Sequence, residues 1–111
     1  MTETATVDWA DWERLIRERG VEIDRSKGSD HPRYPGWIYP LDYGFIPSTV
    51  GGDGKEVDVF CGGADNGLTA MLVVRHDGHE ELKLLWNTSR DEVEAARAFL
   101  ADDMPVEVVW R

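Results

Sequence analysis

The stretch Gly51–Phe60 constrains the fold more than any other part of the chain, because it changes from a turn into a strand. Three glycines at its start permit a tight loop with positive φ angles and a close approach of the backbone. Val57 and Val59 then alternate with Asp58 and Phe60, which is the period of a strand with unlike faces. The sequence therefore predicts a glycine-rich loop that leads directly into a half-buried strand.

Three acidic residues, Asp53, Glu56 and Asp58, lie close together in this stretch. Because their charges repel one another, an ordered loop needs a cation nearby to offset them. Lys55 supplies one positive charge, and a divalent ion such as magnesium, which prefers carboxylate oxygens, can supply more. The alternative is a solvated acidic hairpin loop, since acidic residues and glycine are common in turns.

The charge balance of the chain excludes several classes of function. Its 111 residues include 12 basic and 22 acidic residues, which give a formal net charge of −10. Such a surface repels nucleic acid and anionic membranes, and no apolar run reaches the length that spans a membrane. The N-terminus is unlike a signal peptide, and the single cysteine, Cys61, fits a reducing compartment. We therefore expect a cytoplasmic protein with no nucleic-acid or membrane partner.

The hydrophobic periodicity predicts a single domain of class α+β. A helix over residues 8–19 begins with a capping aspartate, and a helix over 89–101 begins with a Ser-x-x-Glu capping box. Short strands are predicted from residue 21 to 86, and a closing strand over 106–110. Together these elements predict a small, highly twisted sheet or partly closed β-barrel with two flanking helices.

Apolar side chains near the two ends of the chain suggest self-association. Trp9 and Trp12 lie at helical spacing, which favours packing in the core or at a subunit contact. Trp110 lies on the closing strand. A chain this short that exposes several tryptophans carries an apolar patch that a monomer rarely tolerates. We therefore expect a homo-oligomer.

A local basic cluster stands out in the acidic chain. Lys27, His31 and Arg33 lie in a loop whose glycines and prolines interrupt regular structure. This cluster is either charge balance on an exposed loop or a site for an anion. The aromatic segment that follows contains Tyr39 and Tyr43, which either pack in the core or present a hydroxyl to a ligand.

Four segments of the chain resemble the soluble inorganic pyrophosphatases. Residues 53–59 resemble the Asp-x-Asp-Pro/Glu-apolar-Asp signature of that family, and residues 39–44 resemble its Tyr-Pro-x-Asn-Tyr-Gly segment. Asp24, nine residues before Arg33, resembles an acid that precedes a Lys-Tyr pair in the family. Residues 77–83 resemble a later Asp…Asp-x-Lys hairpin. The resemblance implies an OB-like barrel with flanking helices and magnesium-dependent hydrolysis of pyrophosphate to two phosphates.

The resemblance also implies which residues carry the activity of an inorganic diphosphatase. Its substrate is expected to be pyrophosphate or another small phosphoanhydride, and its cofactor magnesium or manganese. The implied positions fall into three groups: catalytic Asp53, Asp58 and Tyr43; substrate-binding Asp24, Arg33, Tyr43 and Lys83; and metal-binding Asp53, Asp58, Asp77 and Glu81.

The chain departs from the family pattern at positions that bear on turnover. Lys55 stands where the family has the central aspartate that helps to activate the attacking water, and an ammonium cannot bridge metal ions. Glu81 replaces an aspartate, and the chain between Arg33 and Tyr39 is much shorter than in the family. The alternative function is therefore a non-catalytic module of the same fold that binds metal or phosphate and has lost turnover.

Overall fold

The computed structural model describes residues 8–49, 56–102 and 104–111, which form two helices and six strands. Along the chain these are α1 (Trp9–Arg19), β1 (Glu22–Arg25), β2 (Asp42–Ile46), β3 (Val57–Cys61), β4 (Leu68–His76), β5 (His79–Trp86), α2 (Arg90–Ala101) and β6 (Val106–Trp110). The α+β class is thereby confirmed. The predicted glycine-rich loop, with Asp53 and Lys55, lies outside the described residues. Neither described helix is long and apolar enough to cross a membrane.

The six strands form one mixed sheet in the order β1-β2-β3-β5-β4-β6. All neighbouring strands are antiparallel except β3 and β5, which run parallel. Within the described residues the sheet is open rather than a closed barrel, with β1 and β6 at its edges. Three of the four residues of the edge strand β1 are exposed.

Each face of the sheet carries an apolar core, because successive side chains of a strand point to opposite faces. Helix α2 covers one face, where the buried cluster comprises Tyr39, Leu41, Phe60, Ala70, Leu72, Val74, Leu85, Val93, Ala96, Phe99 and Leu100. Helix α1 covers the other face, where the buried cluster comprises Ile16, Ile46, Val57, Val59, Leu68, Met71, Val73 and Leu84. Val57 and Val59, which the predicted alternation places on one face of the strand, thus lie on the face of the sheet that α1 covers.

Both helices begin at the caps that the sequence predicts. The Asp8 carboxylate accepts a hydrogen bond from the Asp11 backbone N–H at 3.1 Å. Ser89 and Glu92 form a complete capping box, in which each side chain accepts a hydrogen bond from the other residue's backbone. These bonds satisfy backbone donors that have no partner inside the helix, so they define where the helices start.

Gly44 allows β1 to lie against β2. Its partner across the ladder is Ile23, and a Cβ added at Gly44 would lie 1.9 Å from the Glu22 carbonyl oxygen. The obstacle is backbone, so no side-chain rotation can relieve it. Any larger residue at this position must therefore push β1 away from the sheet, together with the loop that follows it.

Candidate functional site

Four polar side chains meet on the α2 side of the sheet, with the ammonium of Lys83 at their centre. Lys83 Nζ donates to Tyr43 Oη at 2.8 Å and to Asp58 Oδ2 at 2.8 Å, and it lies 3.4 Å from Glu81 Oε2. Lys83 is 5% exposed, which is unusual for a lysine and is tolerated here because its donors are engaged. We call Tyr43, Asp58, Glu81 and Lys83 the lysine cluster.

Strand register brings the lysine cluster together from three parts of the sequence. Asp58 on β3 is the direct partner of Lys83 on β5 in the parallel ladder. Glu81 precedes Lys83 by two residues on the same strand and therefore points to the same face. Tyr43 on β2 pairs with Phe60, two residues beyond Asp58, which again gives the same face. The site thus depends on the pairing of β2, β3 and β5.

The environment of the cluster keeps both Tyr43 and Lys83 protonated. Burial raises the pKa of the Tyr43 hydroxyl above its ordinary value. Burial opposes the charge of Lys83, but the neighbouring Tyr43 and Asp58 outweigh that effect and raise the pKa of Lys83. Lys83 therefore remains an ammonium at neutral pH and cannot accept a proton. Tyr43 can act only as a hydrogen-bond donor or acceptor, and not as a phenolate.

A cavity of about 790 Å³ opens beside the lysine cluster. Tyr43, Glu81 and Lys83 form its polar wall, and the rest is largely aromatic. The complete lining is His31, Pro32, Arg33, Tyr34, Trp37, Tyr39, Tyr43, Glu81, Lys83, Phe99, Leu100 and Met104. The cavity is therefore lined both by charged side chains and by aromatic rings.

The far wall of the cavity is a short hairpin formed by residues 30–38, which we call the aromatic hairpin. An isolated bridge joins Asp30 to Ile38, and the His31 N–H donates to the Trp37 carbonyl at 2.9 Å. The Trp37 indole N–H donates to the Phe99 carbonyl at 2.9 Å, which ties the hairpin to the end of α2. These bonds hold the hairpin in place opposite the lysine cluster.

Arg33 brings a further positive charge to the cavity from the tip of this hairpin. Its backbone N–H donates to His31 Nδ1 at 3.1 Å, which orients the imidazole. Within the part of the chain that the structure describes, the Arg33 guanidinium forms no ion pair. Of the two explanations for the basic loop, an anion site is thus better supported than charge balance for Arg33, because no acidic partner balances it there.

Four described charges at and beside the cavity cancel formally, and this bears on metal binding. Arg33 and Lys83 are positive, whereas Asp58 and Glu81 are negative, so a polyphosphate anion gains little net attraction without an added cation. Asp58 and Glu81 present carboxylate oxygens, which are the donors that magnesium prefers. Their side chains are 27% and 15% exposed, so neither is sealed from solvent. The donor set therefore fits a divalent ion, although the described residues contain no group of three potential metal ligands.

Of the other predicted site residues, Asp24 and Asp77 lie in the described part of the chain. Asp24 is on β1, where its carboxylate contacts Arg25 at 3.3 Å, and it does not line the cavity. Asp77 lies in the turn between β4 and β5, with a φ angle of 50°. Asp53 and the altered position Lys55 lie outside the described residues. The structure thus brings together Asp58, Tyr43, Lys83 and Glu81, with Arg33 on the opposite wall.

Sequence reasoning missed several residues that shape the cavity, notably Tyr34, Trp37 and Phe99. Trp37 stacks on Phe99 with ring centroids 4.4 Å apart, although the two residues are distant in sequence. The aromatic content of the segment after Arg33 was a usable signal for Trp37. Nothing local in the sequence of α2 distinguishes Phe99, which also packs in the core, as a cavity residue.

A buried ammonium, two carboxylates and a tyrosine hydroxyl thus meet beside a cavity, and this combination of polar groups marks a candidate active site. The sequence comparison defines the class further. The sequence model of the inorganic pyrophosphatase family matches residues 17–78, more than half of the chain. The chain therefore belongs to the inorganic pyrophosphatase family. No curated protein matches the sequence at a significant level.

Solved structures of the same fold agree with this assignment. An inorganic phosphatase from Anaplasma phagocytophilum is 21% identical, with a TM-score of 0.57 and 82% of each chain covered. An inorganic pyrophosphatase from Coxiella burnetii is 19% identical, with a TM-score of 0.54 and 82% of each chain covered. One from Helicobacter pylori is 21% identical, with a TM-score of 0.52, covering 82% of this chain and 73% of that one. At these identities the likeness establishes the shared fold.

Membership in the family supports pyrophosphate hydrolysis at the level of the family, and hence a hydrolase. The family generally uses divalent metal ions. The resemblance recognised in the sequence is therefore confirmed.

Proposed function

We propose that this protein hydrolyses inorganic pyrophosphate, or a closely related phosphoanhydride, with magnesium or manganese as its cofactor. The observation that carries the proposal is the lysine cluster, which places Asp58 and Glu81 around one buried ammonium at the wall of the cavity. In this reaction the oxygen of water bonds to one phosphorus while the bridging P–O bond breaks. The bridging oxygen leaves with the second phosphate, so two phosphates are released.

Arg33 and Tyr43 are the groups that we assign to the substrate. The Arg33 guanidinium can form two parallel hydrogen bonds to phosphoryl oxygens, a geometry in which arginine is favoured. Tyr43 Oη accepts a hydrogen bond from Lys83, and its hydroxyl also hydrogen-bonds with Asp58, so Tyr43 would donate to a phosphoryl oxygen by exchanging Asp58 for the substrate. Lys83 holds Tyr43 and Asp58 in place, and Asp24 would act from the edge of the site.

Asp58 and Glu81 are the described residues that we expect to hold the metal, with Asp53 and Asp77 completing the set. When bound, a divalent ion lowers the pKa of a coordinated water and offsets the charge of the phosphates. Lys83 limits how that set can be used, because its ammonium already contacts both carboxylates. We therefore expect fewer metal ions than a site with four unpaired carboxylates would take, and slow turnover.

The first test is phosphate release from pyrophosphate, measured with and without magnesium or manganese. The proposal predicts turnover that depends on the metal and exceeds the rate of the same buffer without protein. A second measurement, calorimetric binding of pyrophosphate, distinguishes the alternative module. Binding without phosphate release at any metal concentration would favour that non-catalytic module. Two features support the module: Lys83 already donates hydrogen bonds to Tyr43 and Asp58, and position 55 is a lysine.

A further inference from the structure

The aromatic hairpin gives the cavity a feature that pyrophosphate does not need. Six of the residues that line it carry rings, and they form a connected series from the hairpin to the lysine cluster: His31, Tyr34, Trp37, Tyr39, Tyr43 and Phe99. Pyrophosphate has no apolar surface and cannot use them. The cavity, at about 790 Å³, lies within the range of about 300–1,000 Å³ that is typical of pockets for larger organic ligands.

Most of these rings pack against one another, so the ring that remains available to a ligand can be identified. Trp37 stacks on Phe99 at 4.4 Å, and Tyr39 contacts the same Phe99 ring at 4.8 Å. Tyr34 differs, because it is 52% exposed although it contacts the His31 ring at 5.3 Å and meets Trp37 edge-on at 6.0 Å. A face of the Tyr34 ring is therefore open at the rim of the cavity.

The open ring lies next to Arg33, a cation that forms no ion pair with the described residues. Arg33 precedes Tyr34 in sequence, and both line the cavity that contains Lys83 and Tyr43. Hydrogen bonds within the hairpin, including Trp37 N–H to the Tyr34 carbonyl at 3.1 Å, hold this pair before any ligand arrives. A ligand that combines a planar ring with a chain of phosphates would match these groups, with its ring on Tyr34 and its phosphates near Arg33 and Lys83.

We propose that this site also accepts, beside pyrophosphate, a phosphoanhydride that carries a planar aromatic ring, as a nucleoside diphosphate does. The ring stacks on Tyr34, and the phosphates reach Arg33 and the lysine cluster. This inference rests on the proposed function, because it assigns the same phosphate site. Stacking of a base on an aromatic side chain does not depend on which base is present, so the geometry selects the ring and not its identity.

The test compares two analogues that cannot be hydrolysed at the bridge: α,β-methylene-ADP, which has the ring, and methylenediphosphonate, which does not. Their dissociation constants are measured by calorimetry in magnesium for the full chain. We expect α,β-methylene-ADP to bind about tenfold more tightly. Tyr34→Ala should remove most of this ratio, whereas Tyr34→Phe, which retains the ring, should preserve it.

The matched control is Ile38→Ala, which truncates another exposed apolar side chain of the same hairpin that does not line the cavity. It should leave the ratio unchanged. If both analogues bind equally to the unaltered protein, the ring site is wrong while the phosphate site stands. If neither analogue binds, the phosphate site fails, and the ring site fails with it. A ratio that survives Tyr34→Ala would also overturn the proposal.

Discussion

Lys83 is the residue on which the site depends, because it holds two carboxylates and a phenol with one buried charge. Removing one partner of a buried ion pair leaves the other charge uncompensated, which is costly. At this site the loss would leave Asp58 and Glu81 facing each other without a cation. The same residue thus stabilises the fold and competes with a metal ion for the same oxygens.

Lys83→Met should therefore lower the free energy of unfolding by about 3–5 kcal/mol in the absence of divalent ions. Magnesium should stabilise the variant more than the unaltered protein, because it can replace the missing charge between the carboxylates. Urea unfolding with and without magnesium measures both effects. The control is Arg75→Met, which removes two exposed ion pairs, with Glu80 and Glu107, outside the lysine cluster and should change stability little. If magnesium raised the free energy of unfolding equally in the unaltered protein and both variants, the metal assignment would be contradicted.

At the scale of secondary structure, local signals predicted the elements and the hairpin of β4 and β5, but not the pairing of strands distant in sequence. The caps at Asp8 and Ser89 satisfy backbone groups within a few residues, so the sequence carries that information. The parallel pairing of β3 with β5 joins segments separated by an entire strand. The contact of Trp37 with Phe99 joins a loop to a helix. Both depend on the global arrangement, and both determine the cavity. Only resemblance to a family linked Asp58 with Lys83 beforehand.

The junction of β1 and β2 offers a test at this scale. Gly44→Ala should lower the free energy of unfolding by about 1–3 kcal/mol or more, because its Cβ would clash with the Glu22 carbonyl. Gly63→Ala is the matched control, since a Cβ there meets no atom within 4 Å. Denaturant titration measures both. Similar stabilities for the two variants would mean that β1 is not held as closely as the structure indicates.

At the scale of the whole molecule, several wholly or partly buried groups hold their protons more tightly in the folded state. Burial and the nearby Asp42 raise the pKa of Cys61 from 9.0 to about 11, and the pKa values of Tyr43 and Lys83 are also raised. The stabilisation that these groups give to the folded state is fully present at pH values below their ordinary pKa values. It is lost as the pH rises through their pKa values in the folded state. Cys61 also stays a thiol at neutral pH, as expected for a structural residue.

The urea midpoint should accordingly fall as pH rises from about 9 to 11, after a plateau near neutral pH. Cys61→Ala should flatten the part of this decline that the thiol causes. Equilibrium unfolding in buffers between pH 7.5 and 11 provides the measurement. A midpoint that stays constant over that interval would show that these groups titrate alike in the folded and unfolded chains.

Self-association remains a prediction at this scale. Trp110 and Ile23 are each 44% exposed, and they lie on the two edge strands of the sheet. Such edges and apolar side chains favour contact with another chain. We expect light scattering at micromolar concentration to give a mass above the 12.6 kDa of one chain. A mass equal to that of the monomer would contradict the expectation.

The central claim is that the lysine cluster hydrolyses pyrophosphate, and Asp58 tests it most directly. We would measure phosphate release across a magnesium titration for the unaltered protein, Asp58→Asn and the control Asp65→Asn, which alters an exposed carboxylate outside the cavity lining. The account predicts a loss of about 10²–10³ in kcat for Asp58→Asn and no loss for Asp65→Asn. Equal phosphate release by all three proteins at every magnesium concentration would contradict it.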